Sequence, residues 1–269
     1  MTTTRLTIEY DGRSFFGWAS QPGGLRTVQA ELERALSIVL RSEAVPLTVA
    51  GRTDRGVHAW AQVASYNGEP APVRALNALL PDDLAVIASE LAPGGFDARH
   101  DCTSRAYCFR VLARTGRPVL ERGHVLHYSQ PLRSEAIEQL HACAALLVGS
   151  HDFTAFTPSD TYHVRFEREV HCAYWRERGA GLLEFWIEAD SFMRHMNRIL
   201  VGTMLDVVRG RNSVEAFASL LEGRPRVEAG PTAPPAGLHF AAAGYRGERL
   251  LRAQSQGSIR REENVSVSR

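Results

Sequence analysis

Gly51-Arg52-Thr53-Asp54-Arg55-Gly56-Val57-His58 sets one carboxylate between two arginines inside a turn bracketed by glycines. The residues before it, Val45-Pro46-Leu47-Thr48-Val49-Ala50, read as a short apolar strand, and Trp60-Ala61-Gln62-Val63-Ala64-Ser65-Tyr66 after it alternates like a second one. The octapeptide is therefore expected on a strand-connecting loop, where functional side chains concentrate. Guanidinium groups keep their proton near neutral pH and favour the charged form of a neighbouring carboxylate. Asp54 is thus expected to be a fixed anion suited to nucleophilic attack or base work. Taken alone, the same residues also make an ordinary Asx-type turn with solvated charges. A phosphate-cradling loop would end in Gly-Lys-Ser/Thr; Arg55-Gly56-Val57 stands there instead and excludes it.

Working outward, Leu6-Thr7-Ile8-Glu9-Tyr10 alternates as a strand ending in Asp11-Gly12, and Ser14-Phe15-Phe16-Gly17-Trp18 forms an aromatic-rich loop. Thr27 is the N-cap of an amphipathic helix over 28–40, with Val28, Leu32, Ala35, Leu36, Val39 and Leu40 at helical spacing. A helix opens at Pro72 and a strand follows over 84–91. After Pro93-Gly94-Gly95, strands are predicted at 107–112, 124–128, 169–176, 182–189 and 238–245. Helices are predicted over 133–148 and 192–208, with another capped by Ser213. The pattern is α+β: an N-terminal half over 1–100, a C-terminal half over 101–245, and an arginine-rich tail over 246–269 whose composition predicts disorder.

The 269 residues, 44% of them apolar, suffice for a full core. No apolar run approaches the roughly 18 residues of a membrane span, and Met1-Thr2-Thr3-Thr4-Arg5 leads into strand-like sequence, so a cytoplasmic location is expected. Cys102, Cys108, Cys143 and Cys172 lack CxxC pairing and zinc-type spacing, and are expected to be reduced structural thiols. Net charge is +1, but six arginines against three glutamates in the tail leave the body at −2, so any RNA surface must be a local patch. All 31 basic residues are arginine, uniformly along the chain, which marks a compositional bias.

Several separated segments match one family in order and spacing. They are Tyr10-Asp11-Gly12 with Phe16-Gly17-Trp18, Gly51-Arg52-Thr53-Asp54 with Gly56-Val57-His58, and Leu76-Asn77 with Leu79-Leu80-Pro81. Further along come Phe96-Asp97-Ala98-Arg99 with Arg105 and Tyr107, His151-Asp152-Phe153, and Phe192-Met193-Arg194-His195-Met196 with Arg198 and Val201-Gly202. Ala229-Gly230-Pro231-Thr232-Ala233-Pro234 with Gly237-Leu238 completes the set. The chain resembles the bacterial tRNA pseudouridine synthase A family over residues 6–245. Ala19 and Asn197 depart from the residues usual there, as does the long tail.

The resemblance implies a pseudouridine synthase fold, two α/β halves with mostly antiparallel sheets forming a central RNA-binding cleft. It implies isomerisation of uridine to pseudouridine in the anticodon stem-loop (tRNA positions 38–40), with Asp54 as nucleophile and Arg198 as the basic residue that clamps it. Attack at C1′ and attack at C6 are both compatible with a carboxylate, and Tyr107 and Asp54 are both candidates for proton transfer. Tyr107 would stack on the flipped base, Leu238 would line the uracil pocket, and Arg52 and Arg55 would hold RNA phosphates. Arg194 and His195 read as further phosphate contacts or solvated charges. The partners implied are tRNA and a second copy in a homodimer. Exchanging a C–N for a C–C glycosidic bond changes no oxidation state, so no cofactor is expected. No metal is expected either, since His151-Asp152 and His163 form no H-x-x-x-H pair. A noncatalytic tRNA-binding or folding protein on the same scaffold is the alternative, and a carboxylate-dependent nucleoside hydrolase a third.

Overall fold

A computed structural model describes residues 2–161 and 163–252. The strands are β1 (Thr3–Tyr10), β2 (Thr48–Val49), β3 (His58–Asn67), β4 (Leu84–Ala92), β5 (Cys102–Ala113), β6 (Leu126–Tyr128), β7 (Gly149–Asp152), β8 (Glu167–Gly179), β9 (Leu182–Ala189) and β10 (Leu238–Tyr245). The helices are α1 (Val28–Leu40), α2 (Val73–Asn77), α3 (Ser134–Leu146), α4 (Met196–Val208) and α5 (Val214–Ser219).

All the strands join one sheet in the order β4-β1-β3-β10-β5-β9-β8-β7, with β2 added to β3 and β6 to β5. The two expected halves thus have one continuous, mostly antiparallel sheet. They meet where β10 lies parallel to β3, through the register pairs His239↔His58 and Phe240↔Ala59. Parallel neighbours begin at the same end, so whatever precedes β3 and β10 is brought together there.

The period-two pattern of β1 buries Leu6, Ile8 and Tyr10 on one face. On α1, Val28, Leu32, Ala35 and Leu36 form the buried stripe, and the Thr27 hydroxyl accepts the Ala30 N–H at 3.3 Å as expected of the cap. The mean features of α4 differ: it is buried on nearly every side, from Met196 to Val207, as befits a helix apolar all round. The segment 229–233 lies directly on it. Gly202 permits this, because a Cβ there would stand 1.8 Å from the Pro231 carbonyl oxygen. The Gly230 N–H donates to Thr203 Oγ1 at 3.0 Å across the same contact.

Several boundaries differ from the sequence expectation. The helix expected from Phe192 begins at Met196, because His195 adopts a left-handed conformation (φ 62°) while Met193 is drawn into the core. The strand expected over 45–50 pairs only at Thr48 and Val49, since Pro46 has no N–H to give a ladder. The strand expected over 124–128 shrinks to β6. β7, Gly149–Asp152, has no apolar alternation and owes its conformation to pairing with β8.

The start of the expected tail is attached to the sheet. The Glu248 carbonyl accepts from Ser104 at 3.1 Å, and the N–H groups of Leu250 and Leu251 donate to the fully buried Glu188 carboxylate at 2.8–3.0 Å. The expectation for 253–269 lies outside the described residues. Among the described residues, no helix is long and apolar enough to cross a membrane. All four cysteines are free and buried, and burial pushes the Cys143 thiol up to about 12.

Two outcomes follow from this packing. Gly202→Ala forces backbone apart and should lower unfolding stability by about 1–3 kcal/mol, read from the midpoint of a urea titration at unchanged m. Native protein should react with a thiol reagent such as Ellman's only as fast as it unfolds, with all four thiols appearing at once in denaturant.

Candidate active site

The Asp54 loop enters β3 and the turn Pro235–Gly237 enters β10, so the β3–β10 pairing sets the two side by side. The N-terminal end of α4 approaches both. Arg198, on its first turn, donates from Nη1 to Asp54 Oδ2 at 3.2 Å and from Nε to the Ala233 carbonyl at 2.8 Å. The Arg198 carbonyl in turn accepts the Ala233 N–H at 3.0 Å. The guanidinium is therefore aimed from both ends of its side chain. His195 Nε2 lies 3.4 Å from the same Asp54 oxygen.

The loop itself is braced from below. Tyr10 Oη and Thr53 Oγ1 are 2.7 Å apart in the interior, and Gln62 Nε2 donates to the Gly51 carbonyl at 2.8 Å. The Trp18 N–H donates to the Thr53 carbonyl at 3.0 Å, and the Val57 N–H closes the turn on the Asp54 carbonyl at 3.1 Å. Gly56 adopts φ +79°, which a side chain would resist. Burial pushes the Tyr10 hydroxyl up to about 12, so it remains a protonated hydrogen-bonding group.

An open pocket of about 500 Å3 is lined by Arg13, Asp54, Arg55, Gly56, His195, Arg198, Pro235 and Ala236. That volume lies within the roughly 300–1,000 Å3 of small-ligand sites. The side chain of Asp54 is 29% exposed and that of Arg198 14%, so the carboxylate is held yet still reachable. Burial lowers the pKa of His195; the Asp54 charge opposes this only in part, and Arg198 and Arg194 lower it further. Near pH 7 the pocket thus sets one carboxylate against a fixed guanidinium and a neutral imidazole, with Arg13 and Arg55 nearby.

The expected residues are distributed unevenly about this pocket. Asp54, Arg198 and Arg55 line it. The arginines flanking Asp54 in sequence do not pair with it: Arg55 lies over the Phe16 ring at 4.3 Å, and Arg52 is exposed. Consecutive loop side chains diverge, and the cation that meets Asp54 comes from α4. Tyr107 is buried behind the loop, its hydroxyl 3.4 Å from where a Gly51 Cβ would stand, with Phe192 and Phe240 edge-on at 5.0 and 5.1 Å. Burial raises its pKa. Leu238 is buried at the start of β10, directly after the turn that supplies Pro235 and Ala236. His195 proves to be a direct neighbour of Asp54, a place that its sequence reading as a phosphate contact or a solvated charge missed. Its i,i+3 spacing to Arg198 was the available signal. Arg13 carried no signal of its own beyond following Asp11-Gly12.

A family profile described as tRNA pseudouridine synthase matches residues 143–246. The tRNA pseudouridine synthase A of Bacillus velezensis is 38% identical over 248 residues, covering 90% of this chain and 98% of that protein. Its namesake from Chromobacterium violaceum is 38% identical over 258 residues, covering 94% and 97%. The chain belongs to the tRNA pseudouridine synthase A family. The namesake from Neisseria gonorrhoeae, 37% identical over 249 residues, covers 90% of this chain and 91% of that protein. A chain of a Cbf5–Nop10–Gar1 complex matches with a TM-score of 0.35 and 10% identity, covering 88% of this chain and 49% of that one, which is too weak to argue from.

The bracing under the loop is testable without any assay of function. Tyr10→Phe leaves buried polar partners at Thr53 and Gln62 unmatched, and should cost about 1–3 kcal/mol of stability by denaturant unfolding. Thr53→Val in the same background should recover part of that loss, since the unmatched hydroxyl is then gone.

Proposed function

We propose that this member of the tRNA pseudouridine synthase family isomerises uridine in the anticodon stem-loop of tRNA, at the positions its family implies, with Asp54 as the nucleophile. The observation that carries this is the Asp54 carboxylate in an open pocket, 3.2 Å from an arginine that a second hydrogen bond fixes in place. An ionised carboxylate needs no separate base to attack. Arg198 orients it, and Arg13 and Arg55 offer charge for the phosphates of an extruded nucleotide. In the overall reaction the C1′–N1 bond breaks and C1′ joins C5. The C5 hydrogen leaves as a proton and N1 takes one up, so atoms and charge balance without a redox partner.

Tyr107 is the proposed wall for uracil at the inner end of the site, as a protonated phenol, with Leu238 beside it and Arg52 on the RNA side. The protein acts as a cytoplasmic homodimer in which a stem-loop bound by one subunit reaches the cleft of the other. The residue assignments rest on the family resemblance and the geometry together, and the dimer on the resemblance alone.

With tRNA tritiated at uridine C5, the wild type should release tritium, whereas Asp54→Ala should lose roughly 10^4-fold or more in rate, the scale on which nucleophile deletions register. Equal release by the two proteins would refute the nucleophile. Arg198→Lys keeps the charge but loses the Nε bond to Ala233, and should lower kcat by about 10^2-fold, as misplaced catalytic groups do. Mapping pseudouridine in the treated tRNA tests the anticodon assignment, and light scattering tests the dimer: a fully active monomer would refute it.

A further inference from the structure

The seam between β3 and β10 carries a second cluster that the pocket does not use. Its first register pair is His58 and His239, whose rings stack at 4.7 Å. His124, from the loop between β5 and β6, lies 4.5 Å from the His58 ring. One nitrogen from each of the three rings lies within 4.8 Å of the others, and among the described residues no other group of three histidine, cysteine or acidic side chains comes so close.

Each ring has one nitrogen turned towards an oxygen. His239 Nδ1 is 3.0 Å from the Gly237 carbonyl, and the Asp11 carboxylate lies 3.2 Å from His58 Nδ1 and 3.4 Å from His124 Nε2. Such an oxygen behind each imidazole is the arrangement that orients metal-binding histidines. It leaves Nε2 of His58, Nδ1 of His124 and Nε2 of His239 open. His58 Nε2 is buried without a hydrogen bond of full geometry, with the Gly123 backbone as its polar neighbour, in a side chain 2% exposed.

We propose that His58, His124 and His239 form a site for one divalent transition-metal ion of the zinc type, with Asp11 as the carboxylate that orients two of the three ligands. Imidazole ligands suit zinc, and three of them with an open fourth position fit its tetrahedral preference. Zn–N distances of about 2.0–2.1 Å imply nitrogens about 3.4 Å apart, so the rings draw in by up to about 1.4 Å from the 4.8 Å separation. Binding at His58 Nε2 moves that ring's proton to Nδ1. There Asp11 accepts it, in place of the 3.1 Å bond that Nδ1 now receives from the Gly12 N–H.

The site fastens three chain segments at the point where the halves of the sheet join. It also reaches the pocket, since Arg13, which lines that pocket, is ion-paired to Asp11 at 2.5 Å. Gly123, next to His124, packs against the same arginine; a Cβ there would stand 2.4 Å from Arg13 Cδ. The metal is structural and takes no part in the isomerisation proposed above, so its test does not use activity.

The full-length protein is stripped with a chelator, incubated with Zn2+ and passed through gel filtration, and the bound metal is measured by mass spectrometry. One equivalent per chain is expected. His124→Gln, on the rim of the cluster, should weaken Zn2+ binding at least about tenfold in competition with a chromophoric chelator, whereas exposed His141→Gln should bind as the wild type does. Substituted Co2+ should show the visible absorption of a tetrahedral ion, and Zn2+ should raise the Tm of the wild type but not of His124→Gln. His58→Gln is the second variant, with circular dichroism as the check on folding. Substoichiometric metal in the wild type, or binding unchanged in folded His124→Gln, overturns the proposal.

Discussion

Two register pairs of parallel strand, His58 with His239 and Ala59 with Phe240, hold the rest of the arrangement in place. Parallel pairing is slightly weaker per residue than antiparallel, and two pairs of it would be a poor joint alone. The joint holds because buried groups converge on it: Phe240 is fully buried, and Tyr107 stands edge-on to it at 5.1 Å. Were β10 antiparallel to β3, its entry turn would lie at the opposite end from the Asp54 loop and no pocket would form between them.

The electrostatics depend on the same joint. Arg198 reaches Asp54 only because Ala233, just upstream of β10, exchanges two hydrogen bonds with it. The close approach of segment 229–233 to α4 therefore sets the aim of the guanidinium, and it depends on Gly202 having no side chain. A pair this accessible to water contributes little to stability by itself. Its consequence is orientation: one carboxylate oxygen faces Arg198 and His195 while the carboxylate stays reachable from the pocket.

Behind the pocket the joint gathers polar groups of another kind. Asp11 is charged although burial works against it, because its hydrogen bonds to Arg13 hold its pKa down to about 2. The same carboxylate faces two histidines, so Arg13 links the cluster of imidazoles to the pocket wall.

Much of the local structure was legible in the sequence. Helix α1 with its Thr27 cap could be read from one-sided periodicity and capping chemistry, and β9 and β10, buried without alternation, as short apolar runs bounded by turn residues. The Asp54 turn was likewise visible as a presented carboxylate between glycines, and the ordered set of motifs pointed to the family. Charge pairing was legible only through the family resemblance, which assigned Arg198 to Asp54 across 144 positions; local sequence by itself offered only the neighbours Arg52 and Arg55. The start of α4 was not legible, since the left-handed turn at His195 answers to the core position of Met193 and to Asp54 rather than to helix propensity. The three histidines lie 66 and 115 residues apart along the chain, at no spacing that suggests a common site. Local chemistry thus determined which elements form and which carboxylate is presented. The parallel joint of β3 with β10 alone decided what that carboxylate faces, because contacts between distant segments arise from the order of strands in the sheet and leave no periodic trace in the chain.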